Sequence, residues 1–207
     1  MARPRGQARF SRAQIFGAAA AEFADRGFDA AGVDRIAARA RVNKAMIYYH
    51  FGSKRGLYLE VLRDMFHAVG ARLRVVADGP GSPRQKVDAW IAAIVAEAAA
   101  HPWIPPIMLR ELAAGAPNLE KDTLAMVNAI LGAVSDIIRD GQKTGVFRPV
   151  DPLLAYFTVM APVMFFFARQ RALERRLTPG PGIAAPRGQD VFARHMQESA
   201  WRMLRKD

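Results

Sequence analysis

Apolar positions recur along this chain at helical spacing, and no strand-length stretch alternates. Ile15, Ala19 and Phe23 lie four residues apart and predict a helix from about Arg12 to Arg26. Ser11 is its expected cap, Gln14 completes an S-x-x-Q capping box, and Phe10 and Ile15 take the hydrophobic-staple positions. Gly27 is expected to end it. Val33, Ile36, Ala37 and Ala40 then fall at i, i+3, i+4 and i+7, one stripe on a helix of about two turns. Arg41 and Val42 interrupt the pattern. Asn43 is a good N-cap for a second short helix, Lys44 to His50, with Ile47 and Phe51 apolar one turn apart. Ser53 opens a longer helix to about Val76, with Leu57, Val61, Leu62, Met65, Val69, Leu73 and Val76 on one side.

The remainder reads as five more helices. Asp78 to Pro83 is a loop, and Ser82-Pro83 restarts a helix in cap-then-N1 order, with Val87, Trp90, Ile91, Ile94, Val95 and Ala98 as its stripe. A shorter helix begins near Ile104 and stops near Gly115. The next follows Asn118 and ends at Gly141 or Gly145; two apolar faces, one with Leu124 and Leu131 and one with Met126 and Ile130, predict burial on both sides. Asp151-Pro152 opens a helix to about Arg175, Thr178 to Gly188 is a loop, and the last helix runs from about Gln189 to Arg205 with Phe192, Met196, Ser199 and Met203 on one face. The expected fold is all-α, about nine helices, with a small domain over 1–56 and a larger one over 57–207.

A short helix, a three- to four-residue turn and a second short helix make a helix-turn-helix unit. The second helix carries Lys44, Met46, Tyr48, Tyr49 and His50. A cation and phenols suit phosphate oxygens, a methionine suits a thymine methyl, and a histidine suits either. The bland alternative is an amphipathic helical hairpin in an ordinary bundle. The run from Gly27 to Leu57, GFDAAGVDRIAARARVNKAMIYYHFGSKRGL, resembles the N-terminal domain of TetR/AcrR-family transcriptional regulators. The shared pattern is carried by Gly27, Phe28, Val33, Ile36, Ala37, Ala40, Val42, Tyr48, His50, Phe51, Ser53, Lys54 and Leu57. Three departures bear on the operator sequence. Ala31 and Gly32 stand where two threonines are usual, Arg41 replaces the turn glycine, and Ala45 and Met46 replace small or hydroxylated residues.

Charge sharpens this picture. The net charge is +11, and residues 1 to 56 hold eleven Lys/Arg against four Asp/Glu. Positive charge is thus concentrated on the segment with the reading helix, as a polyanion footprint requires; a solvated basic surface and a membrane surface are the other readings. The candidate DNA-contacting residues are Asn43, Lys44, Met46, Tyr48, Tyr49, His50 and Lys54, with Arg9 from an N-terminal arm expected to be disordered when free. That start, MARPRGQARF, lacks the apolar core of a signal peptide. The uncharged run Pro152 to Ala168 is shorter than the 18 or so residues expected of a membrane span and is interrupted by Pro162, so no membrane partner is expected.

The chain has no cysteine, which excludes disulfides, zinc-thiolate sites and cysteine nucleophiles. His50, His67, His101 and His195 are scattered, and phosphate-loop, G-x-S-x-G and dinucleotide motifs are absent. Hence no enzyme, catalytic residue, metal or cofactor is expected. The absence of cysteine fits a cytoplasmic protein. The resemblance implies a regulator whose larger domain binds a small effector and forms a homodimer through its last two long helices. Phe165, Phe166 and Phe167 point three ways on one helix, which suits a core face and a partner face. Trp90, Trp103, Met108, Met126, Phe157, Met160 and Phe165 are the candidates for effector lining, with plain core as the competing reading; their character suggests an apolar or aromatic ligand. Arg110 and Glu111 are open as a headgroup site or a surface ion pair. The expected function is a ligand-released repressor on a palindromic operator; the alternative is a ligand-independent architectural DNA binder whose large domain only dimerises.

Overall fold

The computed structural model describes residues 5–176 and 188–206, with side chains over 12–172 and 188–206. Nine helices and no strand are found among the described residues. They fall into two compact units, one of residues 1–65 with 106–120, the other of 66–105 with 121–207. The expected loop from Thr178 lies outside the described residues up to 187, as does Arg3 of the expected arm.

The first unit opens with α1 (Arg5–Ala30). It starts well before Ser11, which therefore lies inside the helix and not at its expected cap; nothing between Gly6 and Ser11 breaks a helix, and the arm is helical from Arg5 onward. Ile15, Ala19 and Phe23 are fully buried, as the stripe requires. Gly27 does break the helix, at φ 76 and ψ 174, a conformation that a side chain disfavours. The break turns Phe28 back onto Phe23 and Tyr58, with ring centroids 6.3 and 5.0 Å apart.

α2 (Val33–Ala40) and α3 (Lys44–Phe51) follow, packed with α1. Gly32 caps α2 without a side-chain bond. Asn43 caps α3 by accepting from the Ala45 amide at 2.8 Å. Ile36 and Ile47 are fully buried between these helices. α4 (Lys54–Asp78) begins under a Ser53 cap, whose hydroxyl accepts from Gly56 at 2.9 Å, and runs through both units. α6 (Ile104–Ala113) lies largely in the first unit.

In the second unit α5 (Pro83–Ala100) packs against α7 (Lys121–Lys143), α8 (Pro152–Arg176) and α9 (Gln189–Leu204). Ser82 and Gln85 form a reciprocal capping box at the start of α5. α7 buries one face only: Ile130, Ala133, Val134, Ile137 and Ile138 are covered, whereas Leu124 is 46 % exposed. The expectation of burial on both sides therefore fails within this chain. α7 ends at Lys143, past Gly141, and Gly145 leaves it at φ 73. Gly141 serves a close approach: a Cβ there would come within 2.1 Å of the Phe147 ring. On α9 the buried residues are Met196, Ala200 and Leu204, so the inward face is rotated from the expected one and Ser199 is exposed. The chain end is tied to the α7–α8 loop by Arg148 N–H to Leu204 C=O at 2.9 Å and Lys206 N–H to Val146 C=O at 3.0 Å.

α8 separates its apolar residues into two faces. Ala155, Val159, Val163 and Phe167 are buried at successive i+4 steps. Leu154, Phe157 and Phe165 are exposed, at 66, 51 and 67 %, and Thr158 and Ala161 lie exposed between them. Phe166 points a third way and stacks on Phe192 of α9 at 3.9 Å. Over Pro152–Ala172 this helix is long and apolar enough to cross a membrane, with mean hydropathy 1.5, which corrects the shorter reading from its uncharged run.

Candidate nucleic-acid interface

The helix-turn-helix places the candidate reading residues on one short, externally accessible helix. Tyr48 and Tyr49 are 46 and 78 % exposed, and Lys44 is exposed at the first position of α3. Apolar side chains this open on a helix anchored by one buried Ile47 contribute little to the fold. Met46 is half-buried on the same helix. His50 is half-buried between the rings of Tyr49 and Phe51, and its Nε2 has no hydrogen-bond partner among the described residues. The side chain of Arg9 lies outside the described residues.

Two of the candidate cations are already engaged. Lys44 Nζ lies 2.8 Å from Asp34 of α2, and this bond raises its pKa above the ordinary lysine value. Both groups are exposed, so the pair is weak and is readily exchanged for a phosphate. Lys54 donates to the Asp29 carbonyl at 3.0 Å and sits 4.7 Å from the centre of the Phe28 ring. It therefore fastens the start of α4 to the segment after Gly27.

The anchoring network beneath the reading head was not legible as such. Glu22, 5 % exposed, receives Arg35 of α2 at 2.6 Å and Arg26 at 3.3 Å, locking α1 to α2. Glu111 of α6 is buried and accepts from the Tyr58 hydroxyl at 2.6 Å and from the Asn118 side chain at 2.9 Å. Burial, then the bond to Glu111, pushes the Tyr58 phenol far above its usual range. Arg110 donates to the carbonyls of Ala24 and Asp25 near the end of α1. Arg110 and Glu111 thus form neither a headgroup site nor a surface ion pair; they join α6 to α1 and α4 within the first unit. The hint in the sequence is the place of Glu111 at i+4 and i+3 from Ile107 and Met108.

The seven candidate effector residues lie in differing surroundings. Trp90 is fully buried and stacks on Tyr156 at 6.5 Å, with its indole N–H unpaired among the described residues. Trp103 is half-buried beside His101 at 5.6 Å, and Met126 and Met160 are half-buried. Met108 belongs to the first unit, and Phe157 and Phe165 are on the outward face of α8. An open cleft of about 420 Å³ in the second unit is lined instead by Ala71, Arg72, Val75, Val76 and Ala93.

The family model for bacterial regulatory proteins of the tetR family matches residues 15–61, and the tetracyclin repressor-like C-terminal domain matches 83–199. The chain belongs to the TetR family. It is a helix-turn-helix transcriptional regulator and not an enzyme. It is 32 % identical over 155 residues to the HTH-type transcriptional repressor SCO4008 of Streptomyces coelicolor, covering 73 % of this chain and 76 % of that one. It is 30 % identical over 171 residues to the repressor NicS of Pseudomonas putida, covering 80 and 79 %. The structure of the ketosteroid transcriptional regulator KstR2 of Mycobacterium tuberculosis superposes with a TM-score of 0.73 at 24 % identity, covering 95 % of both chains, and so shares the fold.

Proposed function

We propose that this TetR-family chain is a cytoplasmic, homodimeric repressor that binds a palindromic operator and is released by a small apolar or aromatic effector. The exposed Lys44, Tyr48 and Tyr49 on a capped recognition helix carry the reading. In this scheme residues 1–56 read DNA and residues 57–207 bind effector and dimerise. Lys44 and Met46 approach base edges, while Tyr48, Tyr49, His50 and Lys54 hold phosphates; Asn43 fixes the helix start and Arg9 adds backbone charge. The outward face of α8, with Leu154, Phe157 and Phe165, meets its symmetry mate together with α9. Two-fold symmetry then sets the reading heads about 34–36 Å apart if half-sites lie one helical turn apart. The effector acts by preferring a conformation in which α4 has shifted and the spacing no longer fits. SCO4008 and NicS are both repressors, which favours that sign.

The test is fluorescence anisotropy on the DNA flanking the protein's own gene against scrambled DNA at about 150 mM salt. A preference of about a thousandfold or more is expected of a specific regulator. Equal binding to both, followed by failure to enrich any sequence from random DNA, would leave the architectural role instead.

A further inference from the structure

Arg41 stands in the turn between α2 and α3 with φ 54 and ψ 43, in the left-handed region. Its amide closes α2 by donating to Ala38 C=O at 3.2 Å, and the Val42 amide donates to Ala37 C=O at 3.1 Å. A glycine serves this capping geometry without strain, and an arginine does not. Among the described residues the only other non-glycine at positive φ is Ala116. The side chain is exposed and, among the described residues, has no ion-pair or hydrogen-bond partner. The other cations of α2 and α3 are engaged: Arg35 with Glu22, Arg39 with Asp25, and Lys44 with Asp34. Hence Arg41 is a charge held at a backbone cost with no return among the described residues. Strain of this kind points to a use outside it.

Its place in the chain identifies the use. Arg41 lies two residues before the Asn43 cap, and a helix-turn-helix enters the major groove with the start of its second helix while the first crosses the DNA backbone. The turn therefore passes beside a phosphate strand. We propose that Arg41 is a DNA-phosphate contact of the reading head, an addition to the α3 phenols. This rests on the DNA-reading assignment above.

The experiment uses the full-length protein and the operator selected by anisotropy, comparing Arg41→Gly, Arg41→Asn and Arg41→Lys with the parent across a salt series. Arg41→Gly is expected to raise the melting temperature by about 2–4 °C while weakening operator binding about three- to tenfold per protomer and lowering the salt slope by about one. Arg41→Asn, which tolerates the left-handed turn, should lose the same affinity, and Arg41→Lys should retain most of it. Scrambled DNA should weaken in parallel, since a phosphate carries no sequence. A stable Arg41→Gly protein with parental affinity and slope would overturn the proposal while leaving the DNA-reading assignment standing. Loss confined to the operator at unchanged slope would overturn it in favour of a base contact. A parent protein with no salt-dependent DNA binding would remove the underlying assignment itself.

Discussion

Lys44 and Tyr48, the proposed DNA contacts, take little part in folding the reading head. Lys44 is exposed and held by Asp34, which is itself 80 % exposed, and Tyr48 is nearly half-exposed on α3. Lys44→Ala and Tyr48→Phe should therefore leave the melting temperature within about 1–2 °C. Each should lower operator affinity; loss of the Lys44 charge should also reduce the salt slope by about one, whereas loss of the uncharged Tyr48 hydroxyl should leave the slope unchanged. Unchanged slope and affinity in salt-titrated anisotropy would take these residues out of the interface. Tyr156 behaves in the opposite way. Burial raises its phenol to about 12 from the ordinary 10, so the native state keeps a proton that the unfolded chain releases. Its contribution is present below pH 10 and is lost as pH rises from about 10 to about 12, roughly 2–3 kcal/mol in all. Tyr58, also raised by burial, adds to the same fall. Urea unfolding between pH 9 and 12 should show stability declining, with a shallower decline in Tyr156→Phe. An identical slope in that variant would assign the loss elsewhere.

At the scale of elements, local chemistry was the most legible. Asn43 before α3, Ser53 before α4, Ser82-Pro83 before α5 and Asp151-Pro152 before α8 all start helices where cap preference places them. The failures share a cause. Ser11 had every local sign of a cap, yet good helix formers upstream carry α1 on to Arg5, and a cap has no effect where the helix does not end. Gly141 was a credible stop, but Phe147 needs its bare Cα from inside α7. That requirement comes from a residue in another element and leaves no periodic trace. Gly141→Ala should consequently destabilise the protein by about 1–3 kcal/mol through overpacking, although alanine is the better helix former. Calorimetry showing a gain would mean that the Phe147 ring moves aside freely. The carboxylates of Glu22 and Glu111 are another such case, since burial of a charge depends on partners far along the chain. An effector site is hard to read from sequence for the same reason. Aromatic and methionine positions identify apolar faces, whereas a cavity depends on which faces are left unfilled.

For the whole molecule, the apolar outer face of α8 decides between a chain that acts alone and one that acts in pairs. Of the Pro152–Ala172 span only Ala155, Val159, Val163 and Phe167 are buried within the chain, and Leu154, Phe157 and Phe165 project along one line with small Ala161 between them. Water does not tolerate that stripe without cost, and a copy of itself offers the complementary surface under two-fold symmetry. Phe165→Asp leaves the buried face of Ala155, Val159, Val163 and Phe167 untouched, so helicity by circular dichroism should be unchanged. The charge, however, would face its own copy across the axis. Sedimentation at micromolar concentration should show the parent as a dimer and the variant shifted toward monomer. Operator affinity should fall by a hundredfold or more, because the second half-site is then no longer bound at high effective concentration. Affinity for a single half-site should stay within about twofold, since the reading helix lies in the other unit. Loss of both together would point to a folding defect instead. A parent protein that sediments as a monomer would show that the α8 face serves another partner, and the operator would then have no reason to be palindromic.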